Sequence, residues 1–269
     1  MADILQQQKV NAAFSKQSAV FDDLENGNLI IQWMRSRIRQ HVLSLWKPGE
    51  HILELNAGTG LDAIFFAQQG LYVHATDNAE GMISQLQNKV TELKLKDKIT
   101  IERCSFLELD KLQQSGFDHI FSNFGGLNCT DKLADVITSF DNLLKPGATA
   151  TLVIMPPVCP WELSLALKGN FKVAFRRLKK DGAPSNVEGI SFNSYYYSPS
   201  KVERMFGRKY RTLAIEGLCS VVPPPYLEKF PERYSGVFKG LTLLESSIAD
   251  AWPFRAWADH FIITMQKHA

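Results

Sequence analysis

The sequence predicts an α/β fold in which a mostly parallel sheet of seven strands carries helices on both faces. Three observations lead there. Between about His51 and Met155, short apolar strands alternate with segments apolar at three- and four-residue spacing, the pattern of buried strands and their covering helices. Two later strands, Arg211 to Val222 and His260 to Met265, complete the count. A glycine-rich turn follows the first strand directly, where open α/β sheets bind ligands.

Taken in order, Leu29 to Leu45 reads as a helix, with Trp33, Met34, Ile38, Val42 and Leu45 on one stripe and Lys47-Pro48-Gly49 as its stop. The segment before it, Phe14 to Asp22, is aromatic-flanked and is expected either to fold over a ligand or to dock on the surface. The strands of the first half are His51 to Leu55, Leu71 to Thr76, Ile99 to Glu102, Phe117 to Ser122 and Ala148 to Met155. Helices fill Leu61 to Gln69, Glu80 to Leu95 and Asp131 to Leu144, the last ended by Lys145-Pro146-Gly147.

Pro156, Pro157 and Pro160 then break the rhythm. Leu163 to Lys180 reads as one amphipathic helix, with Leu167, Phe171, Ala174, Phe175 and Leu178 on one face and Lys168, Lys172, Arg176 and Lys179 on the other. Ser198-Pro199-Ser200 starts a further helix, with Ser200 and Glu203 spaced as a capping box, ending near Phe206-Gly207. Pro223-Pro224-Pro225 and a mainly helical stretch through Ser247 separate the last two strands. No repeat or low-complexity linker divides the chain, so one domain is expected. Residues 1–47 would form an N-terminal helical cap, 48–155 the ligand-binding core, 156–198 a helical lid-like insertion and 199–269 the rest of the core.

A chain of 269 residues, 45% apolar and 22% charged, has the composition of a soluble globular protein able to bury a full core. A formal net charge of +2 gives no bulk electrostatic basis for nucleic-acid binding and favours small-molecule chemistry. The first residues lack a signal-peptide pattern and no apolar run approaches a membrane span, so a cytoplasmic protein with no membrane partner is expected. Cys104, Cys129, Cys159 and Cys219 form no C-x-x-C pair; they are expected to be reduced and buried, and no metal site is read from them.

The turn Asn56-Ala57-Gly58-Thr59-Gly60 between strand and helix lets a flat ligand approach bare backbone, and Asn56 is among the few non-glycine residues that enter the left-handed region readily. By itself the turn is ambiguous, because Gly58-Thr59-Gly60-Leu61-Asp62-Ala63 also satisfies a dinucleotide fingerprint. Asp62 decides against that reading, since a carboxylate in the first helical turn repels a pyrophosphate. Glu54, at the end of the first strand, suits a cationic ligand instead. Asp77, at the end of the second, can accept hydrogen bonds from both hydroxyls of a ribose, the lesser alternative being that it simply caps the helix that follows.

Ile52 to Gly60, Val73 to Asp77 with Met82, Phe117 to Asn123 and Leu143 to Ala148 together resemble the class I, Rossmann-like S-adenosylmethionine-dependent methyltransferase family over about residues 50 to 155. The helix from Ser200 and the strands at Arg211 and His260 resemble that family's closing elements, which implies a reversed last strand. The resemblance implies S-adenosyl-L-methionine as cofactor. It also implies that Glu54 with Ala57, Gly58, Thr59 and Gly60 holds its methionyl part, Asp77 its ribose, and Asn78 and Met82 the adenosine surroundings. Ser105 and Phe106 would flank adenine, and Asn123 and Phe124 would face the methyl donor. Two positions depart from the family pattern: Asn56 replaces the usual first glycine, and Ser105 stands where an acid commonly meets the adenine amino group.

Methyl transfer from a sulfonium is an in-line displacement with an activated leaving group, so alignment and water exclusion dominate and no metal is required. A base is needed only where the acceptor must lose a proton. None of His41, His51, His74, His119, His260 and His268 stands in a catalytic motif, and the catalytic base stays unassigned. His74 and His119, inside strands, are expected to be satisfied core histidines. Tyr195, Tyr196, Tyr197 and Trp161 are expected to wall the pocket of a small aromatic or apolar acceptor. The basic face from Lys168 to Lys180 leaves open an acceptor borne on an acidic carrier protein. A nucleotide-dependent oxidoreductase and a non-catalytic cofactor sensor are the remaining alternatives.

Overall fold

A computed structural model describes residues 2–269; Met1, at the start of the expected N-terminal cap, lies outside the described residues. Three helices, α1 (Ala2–Gln17), α2 (Phe21–Gly27) and α3 (Leu29–Leu43), precede the sheet. The alternating half follows as β1 (His51–Leu55), α4 (Leu61–Gln68), β2 (Tyr72–Asp77), α5 (Glu80–Glu92), β3 (Ile99–Arg103), β4 (Phe117–Ser122), α6 (Leu133–Leu143) and β5 (Leu144–Ile154). Then come α7 (Pro160–Leu163), α8 (Phe171–Ala174), β6 (Ala183–Val187) and β7 (Ile190–Ser194). The chain closes with α9 (Pro199–Phe206), β8 (Tyr210–Leu218), α10 (Phe230–Arg233), α11 (Ser235–Ile248) and β9 (His260–Lys267).

The main sheet has seven strands in the order β3-β2-β1-β4-β5-β9-β8. β1 to β5 pair in parallel, whereas β9 lies antiparallel between β5 and β8. This is the Rossmann-like arrangement with a reversed last strand. Successive residues of β1 enter opposite layers. Leu53 and Leu55 pack in the cluster containing α6 and α9, and Ile52 packs in the cluster with α3, α4 and α5, which is why β1 reads as apolar throughout. The strand order reverses between β1 and β4, opening a crevice at their carboxyl ends. No helix among the described residues is long and apolar enough to cross a membrane.

The insertion departs from expectation. Residues 163–180 are not one amphipathic helix: Gly169 adopts φ 77°, and Asn170 starts a new turn by accepting a hydrogen bond from the Val173 amide at 3.3 Å. The apolar stripe is consequently exposed, with Leu167 at 91% exposure, while Ala174 is buried. Of the basic residues in this stretch, Arg177 is buried. The insertion is also not wholly helical, because β6 and β7 form a hairpin joined by Glu188 (φ 52°) and Gly189 (φ 82°). That left-handed pair matches the twist of the flanking strands. Near α9 the cap is Ser198, whose hydroxyl accepts from the Lys201 amide at 3.3 Å; Glu203 instead accepts from the Thr212 hydroxyl at 2.7 Å, so the expected capping box does not form.

Arg177 fastens the insertion to the sheet. Its guanidinium donates to Glu162 Oε1 from Nε at 2.9 Å, to Asp259 Oδ1 from Nη2 at 2.6 Å and to the Asp259 carbonyl from Nη1 at 2.8 Å. Burial opposes ionisation of Asp259, but Arg177 outweighs it and holds the carboxyl well below the usual carboxylate range. Burial likewise opposes ionisation of Glu162, which bonds to Arg176 and proximity to Arg177 overcome. Arg177→Ala would leave the buried Asp259 without its guanidinium and Glu162 with Arg176 alone, and an unfolding free energy lower by about 3–5 kcal/mol at neutral pH is expected. Depressed folded pKa values stabilise above the unfolded values and lose that contribution on acidification. Denaturant titrations should therefore show the gap between wild type and variant narrowing as pH falls below about 4.

Candidate functional site

The turn after β1 is shaped by two close approaches. Gly60 adopts φ 83°, and a Cβ there would lie 2.1 Å from Leu86 Cδ1, so glycine alone lets α4 begin against α5. A Cβ on Gly126 would lie 2.2 Å from Asn56 Nδ2. Asn56 adopts φ 46°, and its side chain accepts from Ser122 Oγ at 2.8 Å. Phe124, after β4, also adopts a positive φ of 45°, an unusual conformation for a bulky residue. It is held by the bond from its amide to Asn123 Oδ1 at 2.8 Å and by the Arg35 guanidinium 4.6 Å from its ring centroid.

Beneath this turn, charge is concentrated. Arg35 pairs with both Glu25 and Asp62; Arg39 Nε reaches Asp62 Oδ1 at 2.8 Å, and Asn123 Nδ2 donates to Asp62 Oδ2 at 2.7 Å. Glu54 is 2% exposed, and its Oε2 is buried without a hydrogen-bond partner. Burial pushes the Glu54 carboxyl well above its ordinary pKa, and the neighbouring Asp62 adds to the shift against Arg35 and Arg39. Three carboxylates thus face two guanidiniums, and the deficit falls on Glu54. Asp62 is neutralised by its arginines, whereas Glu54 Oε2 has no such partner.

Above it opens a cavity of about 730 Å³, within the range of small-molecule sites. Of the residues singled out from the sequence, Asn56, Gly58, Asp77 and Asn78 line it on one side of the crevice. Met82, Phe106, Asn123 and Phe124 also line it. Glu54, Ala57, Thr59, Gly60 and Ser105 do not; Ser105 is buried, its hydroxyl accepting from the Leu107 amide at 3.2 Å. Asp77 both caps and lines: Oδ1 accepts from the Ala79 amide at 2.8 Å and Oδ2 from the Gly58 amide at 2.9 Å. Burial raises its pKa, with those amide bonds opposing the rise.

The N-terminal segment covers this cavity. Phe14 and Phe21 line it, and α1 is stitched to the hairpin, whose Val187 and Phe192 line it too. Gln6 pairs with β7 like an extra strand, donating to the Asn193 carbonyl at 2.7 Å and accepting from its amide at 3.1 Å. The tyrosines expected to wall an acceptor pocket lie elsewhere. Tyr197 is buried in the core with its hydroxyl bonded to the Thr130 carbonyl at 2.5 Å, Tyr196 sits against Arg177, and Tyr195 packs on the core below α9. Trp161 is likewise outside the cavity lining.

Two ionisable residues of the wall are not marked as site residues by the sequence: His260, and Arg176, which stands there only as part of the basic face. Neither has a local motif. The imidazole reaches the cavity only because β9 is reversed, which brings its first residue to the edge where β1, β2, β4 and β5 end. The one grouping of potential metal ligands among the described residues is Cys159, Glu162 and Asp259, within 4.8 Å of one another; Arg177 already occupies both carboxylates.

Residues 52–147 match a family model described as a methyltransferase domain. The S-adenosyl-L-methionine-dependent Diels-Alderase iccD of Talaromyces variabilis is 28% identical over 106 residues, which are 39% of this chain and 36% of that protein; the match therefore spans about a third of the relative's length. The 1,6-didemethyltoxoflavin-N1-methyltransferase of Burkholderia thailandensis, solved with 1,6-didemethyltoxoflavin and S-adenosylhomocysteine, shares the fold at a TM-score of 0.60 and 13% identity, over 98% of this chain and 89% of that one. Geranyl diphosphate C-methyltransferase of Streptomyces coelicolor shares it at a TM-score of 0.55 and 13% identity, over 86% of this chain and 78% of that one. The matched segment spans the strands and turns that build the crevice, so residues 52–147 resemble a methyltransferase domain and the chain shares the Rossmann-like fold of these methyltransferases.

Proposed function

We propose that the protein binds S-adenosylmethionine in this cavity and methylates a small, largely apolar or aromatic acceptor. The observation that carries the reading is the buried carboxyl of Glu54 behind the cavity wall, its Oε2 without a partner and its pKa pushed well up by burial and Asp62, so that a cation brought beside it would favour its ionised form. A nicotinamide or other pyrophosphate-bearing nucleotide is disfavoured there, whereas a cationic sulfonium and amine relieve the imbalance. The cofactor, when bound, supplies an activated methyl group for in-line transfer.

The chain's own residues then have defined tasks. Asp77 uses one lone pair of each oxygen on backbone amides, leaving acceptor capacity for ribose hydroxyls. Asn78 and Met82 would contact the adenosine, and Phe106, with the Ser105 backbone beside it, the adenine. Asn123 and Phe124, fixed by Asp62 and Arg35, would orient the methionyl end. The α1 helix and the hairpin would limit water access, and Met155, Phe192 and Phe14 give the wall an apolar patch beside Arg176 and His260, which favours an apolar or aromatic acceptor. The basic stripe behind the acidic-carrier alternative does not lie on one helix face, although Lys168, Lys172 and Lys179 are exposed.

The Diels-Alderase relative favours a second reading, in which the bound cofactor supports a cyclisation without giving up its methyl group. Conversion of S-adenosylmethionine to S-adenosylhomocysteine in the presence of acceptor separates the two. Calorimetry should show S-adenosylmethionine and S-adenosylhomocysteine binding and NAD failing to bind; NAD binding alone would overturn the proposal. Asp77→Ala should weaken cofactor binding by about 1.5–3 kcal/mol.

Glu54→Gln should separate binding from stability. A raised folded pKa means the group's contribution is present below its unfolded value and is lost as pH rises through the folded one. The ligand-free variant is therefore expected to be more stable than wild type at neutral pH, with the advantage disappearing below about pH 4, while its affinity for S-adenosylmethionine falls. A variant less stable at neutral pH would contradict this account of Glu54.

A further inference from the structure

We infer that His260 is the general base of the reaction, that Asp259 positions it, and that the acceptor presents an ionisable hydroxyl, a phenol or enol, which is methylated on oxygen. The inference rests on the cofactor reading above and assigns the acceptor chemistry that reading leaves open.

His260 lines the cavity, and its ring lies 6.2 Å, edge to face, from Phe124. Its Nδ1 is 2.9 Å from Asp259 Oδ2. Asp259 Oδ1 is taken by Arg177, and the carboxylate is held ionised, so Oδ2 accepts from the Nδ1–H and Nε2 is the ring nitrogen left for the cavity. No described residue partners Nε2. The charges around the dyad are Arg177 and Glu162 behind Asp259, Arg176 on the cavity wall, and the Tyr196 and Tyr226 hydroxyls nearby; Glu25 and Asp77 also line the cavity. Arg176 is itself clamped by Glu162, through Nε at 2.7 Å and Nη2 at 2.6 Å. Two guanidiniums and two carboxylates cancel, so a proton arriving on His260 is compensated by the carboxylate it touches. This is the arrangement of an oriented base, a nitrogen acceptor on one side and a buried anion on the other.

The rest of the wall selects the acceptor. Phe14, Phe124, Met155 and Phe192 offer apolar and aromatic contact, which suits a ring bearing the hydroxyl. In the step, the hydroxyl proton passes to Nε2. The oxygen pair forms the bond to the methyl carbon as the methyl–sulfur bond breaks, its electrons going to sulfur. His260 then releases the proton to water. An amine acceptor arriving neutral, or an already ionised acceptor, would need no such dyad.

The test uses the full chain with S-adenosylhomocysteine bound and 4-nitrophenol as probe, since its phenolate absorbs visible light. Wild type is expected to bind the probe and ionise it at a pH about one unit below that of the free phenol. His260→Asn and Asp259→Asn should abolish that shift while calorimetry shows unchanged affinity for S-adenosylhomocysteine, which also reports that the variants fold. Methyl transfer from S-adenosylmethionine should fall roughly a hundred- to ten-thousandfold in His260→Asn for unsubstituted phenol and by less for the more acidic 4-nitrophenol. Binding of S-adenosylhomocysteine without binding or ionisation of the probe would overturn the hydroxyl assignment. An unchanged pH profile in His260→Asn, or equal losses for both phenols, would overturn the base. Failure of S-adenosylhomocysteine to bind wild type would overturn the cofactor reading itself.

Discussion

Placing Glu25, Glu54 and Asp62 together under one turn with only Arg35 and Arg39 to balance them sets the terms for the whole site. Buried charges are costly unless paired, and a ligand-binding crevice that keeps an odd carboxylate is less stable than one that does not. On the function proposed above, a cationic ligand would cancel the deficit. The same two arginines fix α3 against the turn, stack one of their number on Phe124 and support its left-handed backbone. Affinity, loop shape and the position of the N-terminal cap are therefore one electrostatic problem.

A second network solves a different problem on the other side of the cavity. The reversed β9 begins where the parallel strands end, so Asp259 and His260 arrive at the crevice from a strand whose remaining residues fill the core. The insertion supplies Arg177 and Glu162 to hold Asp259 in place. An insertion that looks from sequence like a solvated lid thus acts first as a bracket. Its covering function is performed by the hairpin and α1 together, through Gln6, Phe14 and Phe192.

What could be read from the chain follows from how local each signal is. β1, β4 and the turn between Asn56 and Gly60 are visible because their burial and backbone requirements are written in adjacent residues. Asp77 is visible for the same reason, and both roles weighed for it are present: it caps α5 and it lines the cavity. The expected helix from Leu163 does not form although its three- and four-residue spacing is genuine, because Gly169 and Asn170 break it and Arg177 turns inward to Glu162 and Asp259. The hairpin at Glu188-Gly189 has only its turn pair as a local trace. Tyr195 to Tyr197 mislead because aromatic residues before a helix serve a core as well as a pocket. His260 had no local signal: its partner Asp259 adjoins it, but the adjacency gains meaning only once the antiparallel strand brings both to the cavity.

The two networks also divide the labour of the site. Around Glu54 the protein is short of positive charge, and around Asp259 it is balanced to within one proton. A cation resident near the first and a proton moving onto the second are different events, separated by the aromatic ring of Phe124, which touches Arg35 of the first network and His260 of the second. On the function proposed above, Phe124 is the position at which methyl donor and acceptor would meet. Its left-handed backbone, with the amide bonded to Asn123 Oδ1, places the ring between Arg35 and His260.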